Sequence, residues 1–214
     1  IESRFLVNLN EKHMRKHRDQ LCNEEGCSEI WFDEDVQLAH YKLPANCKFI
    51  GQTLLQTKFR SNYGCNILQI TTPQAVIDMP GADYILEAAS TLLIIGTREQ
   101  FKMFNAAVAS KQIDLEPLDE PISLRQFMLQ SHEEKPELQF LSLAITVDEH
   151  SKLLGKSIKD ANIRENWSAL VLGLERGAYT ITNPNISLTF EKGDLLWVLG
   201  KQKMLNALIR EEVL

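Results

Sequence analysis

The chain has 214 residues, with 23 Lys and Arg against 29 Asp and Glu, for a formal net charge of −6. Its cations are spread without a basic stripe, which argues against a nucleic-acid partner. The longest apolar runs, residues 140–147 and 195–199, fall far short of the roughly 20 residues of a membrane-spanning helix, so the fragment reads as soluble.

The amino end carries no initiator Met and no secretory leader pattern, so the chain is expected to begin inside a longer protein. Cys22, Cys27, Cys47 and Cys65 all lie in the first half. A disulfide framework repeated along the chain is therefore not expected, and a reducing cytosol is the simpler setting.

In chain order, residues 1–20 place Phe5, Leu6 and Leu9 on one narrow apolar edge, which predicts a weakly amphipathic connector helix. A polar loop follows, and residues 1–34 together form the connector. The first domain is expected over 35–112, with strands at 37–43, 65–70, 76–79 and 92–95 and helices at 53–59 and 98–110. Residues 113–136 carry Pro117, Pro121, Pro136 and many acids, as a linker should. Within it, Leu124, Phe127, Met128 and Leu129 recur at helical spacing and predict a short helix able to dock on a neighbour.

The second domain is expected over 137–214. A strand at 139–147 leads through a turn to a helix at 157–163, with Ser157 as its N-cap. Residues 169–174 form an uninterrupted apolar run, the pattern of a strand covered on both faces. Glu175-Arg176-Gly177 turns the chain into a strand at 179–182, with Gly177 free to take positive φ. Pro184 ends that strand because it cannot donate to a ladder. A tight turn at 190–194, a strand at 195–199 and a helix at 201–212 complete the unit.

These element orders coincide because the sequence repeats itself. Residues 49–96 lie on 153–200 at an offset of 104 without a gap. Nine of the 48 positions are identical: Gly51/Gly155, Arg60/Arg164, Asn62/Asn166, Leu68/Leu172, Ile77/Ile181, Pro80/Pro184, Glu87/Glu191, Leu92/Leu196 and Gly96/Gly200. Average residue usage would give about three by chance. Apolar positions also fall on apolar positions, which predicts one core written twice. The fold class expected is α+β, two tandem small domains, each a mixed β-sheet with short helices. Duplicate surfaces can pair about an approximate two-fold axis, which favours binding or assembly over catalysis.

The second copy, with Leu153-Leu154-Gly155-Lys156-Ser157, Ile163-Arg164, the Arg176-Gly177 turn, Pro184 and the run Lys192-Gly193-Asp194-Leu195-Leu196-Trp197-Val198-Leu199-Gly200, resembles the TrkA-C domain, also called RCK-C. The first copy resembles it through Phe49-Ile50-Gly51-Gln52-Thr53-Leu54, Phe59-Arg60, Tyr63-Gly64-Cys65-Asn66-Ile67 and residues 92–96. It departs where Ala89-Ser90 stands in place of Gly-Asp, which leaves that turn's geometry open. Residues 1–11 are similar to the stretch that follows the last membrane helix of Kef-like monovalent cation:proton antiporters.

The resemblance implies pairing as dimers and, for some members, binding of cyclic di-AMP in the groove between two copies. The matching positions are Arg60, Asn66, Ile67 and Pro80 in the first copy, and Arg164 and Pro184 in the second, where Leu170 replaces the Asn. Arg can fork onto a phosphate oxygen and Asn can read an adenine edge. The plainer reading is that both arginines end a helix, where a cation complements the dipole, and that Asn66 opens a strand. A purely structural pairing module would fill its grooves with its own side chains, for which Tyr63 and Trp167 are large enough.

Other chemistry finds less support. His13, His17, Cys22 and Cys27 would supply four zinc ligands, but the gap between the cysteines is wider than usual structural spacing, so no metal is expected. No catalytic set or Gly-rich phosphate loop is visible, and no enzyme activity is expected. The function expected is a cytosolic regulatory and dimerising module of a cation:proton antiporter moving K+ or Na+, at the cytoplasmic face of the bacterial inner membrane. Its partners would be a second copy, an upstream transmembrane domain of the same protein and a small nucleotide. The alternatives are a purely structural dimerisation module and the regulatory domain of a potassium channel or transporter.

Overall fold

A computed structural model describes residues 35–130, 140–182 and 184–213. The connector expected over 1–34, including His13, His17, Cys22 and Cys27, lies outside the described residues.

The first unit runs β1 (Val36–Lys42), α1 (Leu54–Thr57), α2 (Phe59–Tyr63), β2 (Asn66–Thr71), β3 (Val76–Asp78), β4 (Thr91–Thr97) and α3 (Arg98–Ala109). Two short strands, β5 (Glu116–Pro117) and β6 (Ile122–Ser123), and the helix α4 (Leu124–Gln130) follow. The second unit repeats the first: β7 (Phe140–Thr146), α5 (Ile158–Ala161), α6 (Ile163–Trp167), β8 (Ala169–Arg176), β9 (Tyr179–Thr182), β10 (Leu195–Lys201) and α7 (Gln202–Val213).

Strand order is β3-β2-β4-β1 in the first sheet and β9-β8-β10-β7 in the second, so equivalent strands occupy equivalent places. The α+β class and the two repeated units stand as expected. Strand directions differ from the mixed sheets expected, because every pair is antiparallel. The helical crossover from β1 to β2 does leave those two strands parallel, but β4 inserts between them and runs against both.

The helix expected at 53–59 is two helices. Thr53 caps the first with a reciprocal bond to Gln56, and the chain then breaks at Lys58, which sits in the left-handed region at φ 56°. The second unit breaks in the same way at Asn162, φ 49°, after a helix capped by Ser157 as expected. Gly177 takes φ 59° at the hairpin turn as expected, and Ala89 holds φ 60° where its counterpart Gly193 has φ 92°. The turn is therefore kept in the first unit despite the missing glycine.

Residues 113–130, expected within a linker, are built onto the first sheet. Both β5 and β6 pair with the outer edge of β1. Asp119 accepts from the His40 backbone N–H at 2.7 Å and contacts its ring Nδ1 at 2.6 Å. Ile113, Leu115 and Leu124 are buried.

Alternation along the strands explains the core. On β4, Leu92 and Ile94 face the unit's own helices, whereas Leu93 and Ile95 face away from them. On β10, Leu196 and Val198 face α6 and α7, whereas Leu195, Trp197 and Leu199 face the opposite side. These second faces meet each other in one shared apolar cluster that includes Val36, Leu38 and Leu68 of the first unit and Phe140, Leu170 and Leu172 of the second. The layers run helix, sheet, sheet, helix. Residues 169–174 are covered on both sides as their apolar run predicts, by α6 on one face and by the other unit on the opposite face.

Candidate functional site

The junction between the units is built from the ends of α2, β2 and β3 and their repeats. Arg60, on α2, donates from Nη2 to the Pro184 carbonyl at 3.4 Å. Arg164, at the equivalent place on α6, donates from Nη2 to the Pro80 carbonyl at 2.6 Å and to the Ile67 carbonyl at 3.3 Å. Arg60 to Pro184 and Arg164 to Pro80 are one contact seen twice, exchanged by the 104-residue offset. An interface in which each partner offers the same patch to the other is isologous, so the units pair about a local two-fold axis inside one chain.

Of the six candidate residues, five meet across this junction: Arg60 with Pro184, and Arg164 with Ile67 and Pro80. Ile67, Pro80 and Pro184 contribute carbonyl oxygens, and all three are buried. Asn66, the sixth, is half-buried at the start of β2. It lines a cleft with Gly96 and Gln100 of its own unit and Leu170, Val171 and Leu172 of the other. That cleft holds about 20 Å³, room for one water.

Tyr63 and Trp167 do not fill the groove. Tyr63 packs edge-on against Phe104, at 5.6 Å between ring centroids, and Trp167 is buried in the core of the second unit. Because α2 and α6 lie over their own sheets, their last residues point into their own cores and leave the junction to the arginines.

The electrostatics of the junction are unusual. Burial draws the Arg164 guanidinium below its ordinary range, and the neighbouring Arg60 charge adds to this. Arg60 is exposed along its side chain, yet the protein packed around its charged end also draws it down. Neither arginine pairs with a carboxylate among the described residues. The Arg164 Nε is buried with no hydrogen-bond partner among the described residues. Two cations that face each other and hydrogen-bond to carbonyl oxygens, with the Glu165 charge offsetting part of the repulsion at Arg164, form an electropositive spot suited to an anion.

Departures from the repeat mark residues that motif reading passed over. Lys201 stands where the first unit has Thr97, and Asp78 where the second has Thr182. They approach at 3.7 Å across the junction, with Lys201 Nζ also 4.0 Å from the Phe140 ring centroid. The signal was present in the aligned copies as a complementary charge pair at unlike positions. Cys65 is a core residue, its thiol pushed up to about 12 by burial.

Comparison with known proteins agrees with this duplication. The TrkA-C domain profile matches residues 38–109 and 143–212. An uncharacterized transporter of Synechocystis, sll0640, is 24% identical over 162 residues, and the uncharacterized transporter YfbS of Escherichia coli is 25% identical over 166. These alignments cover 75% and 76% of this chain but 25% of each relative, so the chain spans about a quarter of their length. Among solved structures, the RCK C domain of the potassium transport protein KtrA, in complex with cyclic diadenosine monophosphate, is 24% identical. It covers 41% of this chain and 94% of that one, at a TM-score of 0.34. With two matched copies over most of its length, one on each side of the junction, the chain belongs to the TrkA-C domain family.

Proposed function

We propose that this chain is the regulatory module of a membrane cation transporter, its two TrkA-C domains forming a self-paired sensor for a phosphate-bearing nucleotide. The observation that carries the reading is the pair of facing guanidiniums, Arg60 and Arg164, whose hydrogen bonds across the local two-fold axis go, among the described residues, to carbonyl oxygens. A phosphodiester would replace weak neutral acceptors with a charge-assisted fork and relieve the repulsion between the two cations.

A ligand at this place touches both units, so its occupancy favours one relative arrangement over another. The shift it produces is limited by its difference in affinity for the two arrangements. In the full-length protein the residues before 35 would pass that bias to an upstream transmembrane domain, of the Kef-like cation:proton antiporter kind or of another transporter of K+ or Na+. Pairing within one chain meets the need that a dimer would otherwise serve, and a second copy would associate through other surfaces.

A structural clamp is the second reading, favoured by the small volume of the cleft. Titration calorimetry of residues 1–214 with cyclic di-AMP and common adenine and guanine nucleotides separates the two. Binding at one ligand per chain, lost in Arg60→Ala, is expected for the sensor. Absence of heat from every probe would leave the clamp.

A further inference from the structure

The first unit has a cavity of its own, between the end of α3 and the segment 115–121, whose strand β5 pairs with β1. It holds about 330 Å³, against about 20 Å³ for the cleft at the junction, which places it among sites for small molecules. Its walls are apolar where Val108, Leu115 and Pro121 line it, and Tyr41 and Asn105 supply a polar floor. The Tyr41 hydroxyl donates to Asn105 Oδ1, which leaves the phenol oxygen its own lone pairs to accept with. At the repeated positions the second unit has Ile145 and Ile209, both packed against its apolar core. The fold therefore accepts two apolar side chains at this place, and the polar pair belongs to the first unit's cavity alone.

The field in this cavity is negative. Glu116, Asp119 and Glu120 line it, with Lys111 as the one cation among the lining residues. His40 holds Asp119, whereas Glu116 and Glu120 make no side-chain hydrogen bond or ion pair among the described residues. The end of α3 adds the partial negative charge of a helix C-terminus, with no basic residue in its last turn. The phenol registers this field: burial first, and then charges that include Asp119 and Glu120, hold the Tyr41 hydroxyl well above its ordinary range. Among the described residues no three His, Cys, Asp or Glu groups converge to hold a metal ion. Apolar walls under a spread negative charge suit an organic cation better than a bare one.

We propose that this cavity binds an aliphatic diamine or polyamine. One ammonium lies among Glu116, Asp119 and Glu120, the carbon chain covers Val108, Leu115 and Pro121, and a second ammonium donates to the Tyr41 hydroxyl oxygen. Burial of the second ammonium is offset by the same two carboxylates whose charge reaches the phenol. The cavity shares no residue with the paired arginines, so the site stands whether or not the junction takes a nucleotide.

The test titrates the chain of residues 1–214 with 1,4-diaminobutane at fixed ionic strength, read by calorimetry and by the melting temperature. Binding at one per chain with a raised melting temperature is expected, and n-butylamine, which lacks the second ammonium, should bind about tenfold more weakly. The double variant Glu116→Gln with Glu120→Gln changes only exposed side chains, so it should fold as the wild type does and weaken the diamine by about tenfold. Because the whole chain is acidic, the control is Asp83→Asn with Glu87→Gln, which removes two exposed carboxylates of the same unit outside the cavity and should leave binding unchanged. Equal weakening by the two double variants would reduce the effect to net charge and overturn the site. Equal affinity for the monoamine would overturn the contact with Tyr41, and displacement by potassium chloride but not by sodium chloride would replace the organic cation with a metal ion. Neither heat nor a change in melting temperature overturns the proposal outright and leaves the nucleotide reading of the junction untouched.

Discussion

Ser90 and Asp194 occupy the same place in the two units, and both are fully buried. Asp194 is satisfied: Arg176 forks onto it from Nε and Nη2, both at 2.8 Å, and the Glu191 backbone N–H donates to it at 2.8 Å. The first unit has Thr72 where the second has Arg176, and with the arginine lost a carboxylate would stand uncompensated. Ser90 is the smaller, neutral replacement, and its Oγ has no hydrogen-bond partner among the described residues. Opposite outcomes follow for two substitutions. Arg176→Ala strands a buried charge and is expected to lower stability by about 3 kcal/mol. Ser90→Ala removes a buried hydroxyl that bonds nothing and is expected to raise stability by about 1 kcal/mol. Urea unfolding of each variant at neutral pH reads both, and a destabilised Ser90→Ala would mean that the hydroxyl has a partner after all.

At the level of elements, what the sequence announced and what it hid have a common cause. Alternation and apolar runs depend on side chains, so both units, their strands and the two-sided burial of residues 169–174 were legible. The break inside each first helix was not, because Lys58 carries no sequence mark of a left-handed backbone, and Asn162 only a weak one. The candidate site shows the same division. Arg60 and Arg164 were found as side chains, but their partners are backbone carbonyls of Ile67, Pro80 and Pro184, which any residue could offer. Nor could periodicity say whether the second face of each sheet met its own helices, the other unit or another chain. The left-handed break is itself testable. Lys58 has φ 56° and makes no side-chain cap, while the second unit places Asn there at φ 49°. Asn tolerates this conformation better than a long side chain, so Lys58→Asn is expected to gain about 0.5–1 kcal/mol, read as a raised melting temperature. A loss would show that the break is not the strained position that its φ implies.

On the scale of the whole molecule, each unit is near the lower limit of size for a domain that folds alone, and each gives one whole sheet face to the other. Loss of either unit would expose Leu38, Leu93 and Ile95 on one side, or Leu195, Trp197 and Leu199 on the other. The units should therefore open together and not in sequence, and a ligand held at their junction would stabilise both. Trp197 is the means to test this, since it belongs to the second unit by connectivity but is buried, at 6% exposure, among residues of both. Trp197→Ala is expected to cost about 3–5 kcal/mol. Under coupled opening, hydrogen exchange in the variant accelerates by similar factors at β8 amides in the second unit and at β2 and β4 amides in the first. Acceleration confined to the second unit would mean that the sheets touch without sharing their stability, and a junction of that kind could not carry a signal from one domain to the other.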